Sequence, residues 1–160
     1  MAEDAGFDVL VLAIGDDPLG TVAVPAAHVR EVARLGRTTA YPGAPVDVRG
    51  VAAVRGLVVP VLDLAPSDAA GRPVVLLAVG ERALALAGSA AVRVARAVRS
   101  EPGADSPAPL RLWSGRVLPL DGAVRLADAA RPEAADGPTL PLLDAAALIH
   151  DAVDEPDGES

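Results

Sequence analysis

Few side chains in this sequence could carry covalent or proton-transfer chemistry. There is no cysteine, which excludes thiolate nucleophiles, cysteine-based zinc sites, iron–sulfur clusters and disulfides. The two histidines, His28 and His150, have no activated serine to serve, because no Gly-x-Ser-x-Gly elbow exists and Gly88-Ser89 and Ser114-Gly115 read as turns. A phosphate-binding loop of the Gly-x4-Gly-Lys type is impossible, since every cation is arginine. Asp16-Asp17 sits in a turn-forming run. The carboxylates between Asp121 and Asp136 lack the ligand order of a calcium loop. Paired carboxylates for glycoside chemistry would want an aromatic cleft, and aromatics are only 2% of the chain. No nucleophile, metal set or cofactor loop assembles, so the reading is a non-enzyme without cofactor that works by contact. The residues left to explain are Arg49 and Arg55, set six apart in "VRGVAAVRGLVVPVLDL", the most strand-like stretch of the protein.

The elements that must hold those arginines are short and apolar. Val9–Ile14 and Thr21–Val24 read as a hairpin across "GDDPLG". "AAHVREVARL" fits either a short helix or a turn running into a strand. Pro42, Gly43 and Pro45 impose a loop, with room for one helical turn after Pro45. Around Arg55-Gly56, "VAAV" and "LVVPVLDL" become two strands joined by a turn or bulge. Gly56 there permits positive φ and close approach of another backbone. Pro73–Gly80 and Arg82–Gly88 form a second hairpin, "AAVRVARAVR" a half-buried strand, and "LRLWSGRVLPLDG" a third hairpin closed at Ser114-Gly115. "VRLADAARPEAADGP" is expected to be a surface loop. A short strand at Leu140–Leu142 and a helix capped by Asp144 complete the chain.

Many short strands with Gly/Pro turns argue for an all-β fold of barrels or a sandwich, and 160 residues allow two small barrels. With a hydrophobic fraction of 51%, the core must be Val, Leu and Ala, with Phe7, Tyr41 and Trp113 as isolated large pieces. The net charge of −8 argues against a duplex-binding surface. An acidic N-terminus and the lack of any run of membrane-spanning length lead to an expected cytoplasmic location. Residues 1–6 are expected to be a disordered N-terminus, 7–150 the folded domain, and 151–160 a disordered acidic tail.

At Val48–Leu64 the sequence resembles the signature of CheW-like domains, adaptor modules of chemotaxis arrays. Pro45, Gly50, Arg55, Gly56, Pro60, Asp63 and Leu64 fall on that pattern without a gap. Upstream, "VAVPAAHVREV" puts Val29, Glu31 and Val32 in register, and "LPLLDAAALI" resembles the closing strand and helix. The copy departs from the pattern at three places. Ala53 replaces an asparagine, "AGSAAV" lacks a carboxylate, and Ala123–Pro138 reads as an enlarged loop.

The resemblance implies an all-β fold with a short C-terminal helix, two intertwined SH3-like five-stranded barrels. It implies partners too: the cytoplasmic tip of a chemoreceptor (a methyl-accepting chemotaxis protein) and a CheA-type histidine kinase, with no nucleic acid and no membrane insertion. By motif position Val29, Glu31, Val32, Arg55 and Gly56 would form the receptor-binding site. Pro45, Gly50, Pro60, Asp63 and Leu64 would be structural. Arg55 is expected to face Glu31, and Arg49 to be replaceable charge at a strand edge.

Overall fold

The computed structural model describes residues 6–14, 20–40, 42–65, 71–100, 110–127 and 138–153. Its strands are β1 (Phe7–Ile14), β2 (Thr21–Pro25), β3 (Val29–Arg34), β4 (Thr38–Thr39), β5 (Val48–Val54), β6 (Leu57–Asp63), β7 (Pro73–Val79), β8 (Arg82–Ala87), β9 (Ser89–Arg99), β10 (Leu120–Leu126) and β11 (Thr139–Leu143), followed by helix α1 (Ala145–Val153). Strands β1-β2-β11-β10-β9 close a five-stranded barrel, and β3-β7-β8-β6-β5-β4 form a six-stranded sheet. The barrel is made from the two ends of the chain and the second sheet from its middle. This is how the two units interleave.

The second unit has six strands in an open order where five closed strands were expected. The sixth is the two-residue β4 beside β5. Yet β3 and β4, its two edges, are joined through Leu35–Arg37 alone. Arg34 and Thr38 can therefore be at most about 14 Å apart along the chain, and the sheet must curl until its edges nearly meet.

Alternation along the strands builds three cores. From β1, Val9 and Val11 point into the barrel while Leu10, Leu12 and Ile14 join a core shared by both sheets. From β8, Leu84 and Leu86 enter the shared core, and Ala85 and Ala87 enter the second sheet's own interior. Both faces of such strands are covered, so they read as continuous apolar runs. The small alanines suit the narrow interiors of small units.

The ambiguous stretch after Pro25 resolves into one 3-10 turn, Ala26–His28, leading into β3. The hairpin expected at Leu110–Gly122 is reduced to a narrow ladder. It has one bridge, Arg111 with Val117, and bonds from Leu112 N–H to Arg116 C=O and from Leu118 N–H to Leu110 C=O. The stretch expected to be a surface loop from Ala123 begins instead as strand β10. Its Val124 and Leu126 fill the barrel while Arg125 points away. That two-residue period was present in "AVRL" but was masked by the prolines and acids that follow it.

Asp144 caps α1, its Oδ1 accepting from Ala147 N–H at 3.0 Å. The helix runs to Val153, three residues past the boundary read from sequence, and buries Ala152. Nine residues of helix are marginal alone. Here Leu148 and Ile149 are fully buried, each contributing about 2 kcal/mol. The helix follows a barrel strand but packs on β6, β7 and β8, strapping the two units together.

Candidate functional site

Strands β5 and β6 carry the stretch singled out in the sequence, and Arg55-Gly56 is the turn between them. Both turn residues have positive φ, 52° for Arg55 and 83° for Gly56. That is the requirement of a tight hairpin turn whose twist matches its strands. Arg55 is the one described non-glycine residue in this region of φ. A Cβ at Gly56 would meet nothing within 4 Å, so Gly56 serves backbone conformation alone. Close backbone approach occurs instead at Gly50, with φ 140°, where a Cβ would overlap the carbonyl oxygen of Thr39 on β4.

From this turn Arg55 Nε meets Glu31 Oε2 at 2.9 Å. Arg55 is 72% exposed and Glu31 28%. Oε2 is enclosed and takes no aligned hydrogen bond, so the guanidinium balances it by charge. A pair this exposed stabilises the fold by well under about 1 kcal/mol. On β3 exposure alternates: Val29 and Glu31 are half-buried, while Arg30, Val32 and Arg34 are exposed. Val29 packs against the shared core. Val32 is exposed, on the other side of the alternation from Glu31. Beside the turn, Leu57, Val58 and Pro60 line a cleft of about 310 Å³ with Arg30 and the Gly80–Arg82 turn.

Arg49 is not the replaceable edge charge that the sequence suggested. Its Nε lies 2.9 Å from Oδ2 of Asp63, whose side chain is 3% exposed. The same carboxylate accepts from Nη1 and Nη2 of buried Arg72 at 3.2 and 3.1 Å and from Ala65 N–H at 3.2 Å. An alternating strand puts valine and arginine on opposite faces, which suggests solvent for the arginine. A buried acid on the adjacent strand overrides that.

A second buried acid, Asp47, was missed altogether. It receives a bidentate bond from Arg116 at 2.6 and 2.9 Å and a bond from the Ser114 hydroxyl at 2.7 Å. Burial pushes its pKa up, but the bonds from Arg116 and Ser114 and the Arg116 charge outweigh burial and hold it below the usual value. The indole N–H of Trp113 donates to the Asp63 carbonyl at 2.9 Å. These ties clamp the Leu110–Leu118 ladder onto the second sheet. No sequence spacing signals pairs separated by fifty residues or more.

The remaining motif positions act in the frame. The Pro45 carbonyl closes the turn into β5 by accepting from Val48 N–H, and Leu64 enters the shared core. Among the histidines, His28 lies on the 3-10 turn and His150 in the last turn of α1. Asp16, Asp17 and Tyr41 lie outside the described residues. Among the described residues no three potential metal ligands gather, and no helix is long and apolar enough to cross a membrane.

A family profile described as the CheW-like domain matches residues 8–153. Among solved structures the chain is similar to the scaffolding protein TtCheW from Thermoanaerobacter tengcongensis. The TM-score is 0.56 at 14% identity, covering 87% of this chain and 84% of that one. The likeness is one of fold. No curated protein matches the chain.

Proposed function

The chain belongs to the CheW-like domain family, and we propose that it is a non-catalytic adaptor of chemotaxis-type signal transduction. In this reading it couples the cytoplasmic tip of a chemoreceptor to the regulatory domain of a CheA-type histidine kinase. It works in the cytoplasm and is recruited to membrane-associated receptor arrays. The observation that carries the reading is Arg55: an exposed arginine held at φ 52° against Glu31, on a turn where Asn or Gly would be less strained. The contact returns too little stability to account for the placement, so a partner is its beneficiary. A receptor tip is a helical hairpin. Leu57 and Val58, exposed beside the turn, offer apolar anchors for a helix, with a planar guanidinium for a carboxylate or carbonyl.

Charge-swap variants test this. Arg55→Glu and Glu31→Arg, folded by circular dichroism, are expected to weaken binding of a receptor-tip fragment at least tenfold. The double swap restores the ion pair but not the surface, so it is expected to stay weak. Full recovery in the double swap would assign the pair to the fold and remove it from recognition.

A second reading keeps the fold and gives it to another receptor–kinase pathway, or makes the chain a competitor. Ala53, exposed beside the turn, and the carboxylate-free stretch Ala87–Val92 favour it, because the family pattern has an asparagine at the first and a carboxylate in the second. Receptor binding without kinase binding, or the reverse, would select this reading.

A further inference from the structure

The second sheet is splayed at the end that carries the Arg55 turn. β6 and β8 run parallel and pair over Val61–Asp63 and Ala85–Ala87. Pro60, which has no N–H to give to a ladder, stands where that pairing stops. Before it, Leu57–Pro60 on one side and Gly80–Ala83 on the other line a cleft of about 310 Å³ that Arg30 also lines.

Three features of this cleft select its occupant. The first is an uncovered apolar face. Alternation along β6 puts Val58 and Pro60 on the same side as Leu62, which is buried in the core shared by both sheets. Leu62 is fully buried, whereas Val58 is 72% exposed and Leu57 36%. The apolar face therefore runs out past the core that covers it. A cleft of this size, at the low end for ligand pockets, takes a large side chain and not a whole element.

The second feature is Arg30. Val29 pairs with Leu77 and Glu31 with Leu76, so Arg30 is the extra residue of a β-bulge. A bulge re-aims a side chain. Here Arg30 faces the cleft while Glu31 keeps its contact with Arg55. The third is Glu81, exposed in the β7–β8 turn. Among the described residues neither the Arg30 nor the Glu81 side chain makes a hydrogen bond or an ion pair, whereas Arg82, which also lines the cleft, already has an interaction of its own. A cation and an anion thus line one apolar wedge without meeting each other.

We propose that this cleft reads a partner helix by a three-part pattern. An apolar side chain enters the wedge, an acidic residue meets Arg30 and a basic residue meets Glu81. On a helix, residues three and four apart share a face, so acid, apolar anchor and base stand in a row. The two charges also fix the direction in which the helix lies, because turning it round sets like charges against each other. The inference rests on the adaptor reading for the helix, which that reading brings to the adjoining Arg55 turn, and it adds the chemistry the helix must carry.

The probe is a capped alanine-based peptide with Glu, Leu and Lys three and four residues apart on one helical face. It is titrated into the isotope-labelled full chain and followed by amide chemical shifts. Saturable shifts at Leu57–Val59 and Gly80–Ala83 are expected. Alanine in place of the peptide's leucine is expected to weaken binding at least tenfold. Arg30→Glu and Glu81→Arg, both at exposed positions, are each expected to weaken it about threefold. Arg30→Glu titrated with a peptide whose glutamate is replaced by lysine is expected to recover the native affinity within about twofold. No shift up to millimolar peptide overturns the inference. So do shifts centred elsewhere, equal binding of the leucine-free peptide, or affinity indifferent to both charge reversals. The peptide contains no receptor sequence. Its failure beside a chain that still joins receptor and kinase fragments would strike this inference and leave the adaptor reading standing. Its binding to a chain that joins neither fragment would keep the pattern and remove the adaptor reading.

Discussion

Arg55 pays in backbone strain for its position. A non-glycine residue in the left-handed region costs about 1–2 kcal/mol, and its ion pair with half-exposed Glu31 returns less than that. Asparagine adopts this φ more readily. Arg55→Asn is therefore expected to leave the melting temperature unchanged or raise it by a few degrees, while weakening receptor-tip binding. A fall of more than a few degrees would make Arg55 a residue that holds the fold. At this scale the sequence was partly legible. The facing of Arg55 and Glu31 followed from motif position, and the curl of the sheet is what brings β3 to the β5–β6 turn. The partner of Arg49 did not follow, because Asp63 reaches it from the neighbouring strand and burial, not spacing, decides the contact. Gly50 was legible as a motif position, but the Thr39 carbonyl that excludes a side chain there belongs to a strand only two residues long.

The Leu110–Leu118 ladder shows how a weak element is held by side chains. It has a single bridge of its own and is fastened by Asp47 to Arg116 and Ser114. The pKa of Asp47 is lowered in the folded chain, so the unfolded chain takes up the proton first as pH falls. Stability from this group is thus fully present above the ordinary carboxylate value near about 4 and is lost as pH drops through the folded value. Asp47→Asn leaves the Arg116 charge facing a neutral amide and is expected to cost about 3 kcal/mol at pH 7. It should also flatten the fall in stability as pH drops below about 4. Urea unfolding at stepped pH measures both, and an unchanged acid slope in the variant would exclude Asp47 as a source of acid sensitivity. Hairpins β1–β2, β5–β6 and β7–β8 were legible because apolar runs flank turn residues. β10 was not, because two inward side chains are a short signal inside a polar run. α1 was legible from its cap, but its packing on β6, β7 and β8 was not, since nothing in a helix's sequence names the sheet that will cover it.

Across the whole molecule, the chain leaves a barrel, builds a second curled sheet, and returns to close the first. Leucine-rich faces of both sheets meet in one core under α1, so the two units are held as one body with surfaces facing different ways. The all-β class was legible from strand length and turn spacing, and the paired architecture from the family pattern. The open six-stranded order was not, because it depends on the brief pairing of Thr38–Thr39 with Val51 and Ala52. The proposed function requires this chain to bridge two proteins without catalysis. The most direct measurement mixes it with a chemoreceptor tip fragment and a CheA regulatory domain and determines complex mass by light scattering after size exclusion. One species containing all three components is expected, and receptor and kinase fragments are expected to associate more weakly when this chain is left out. Binding to neither fragment, or receptor–kinase association unchanged by its removal, would contradict it.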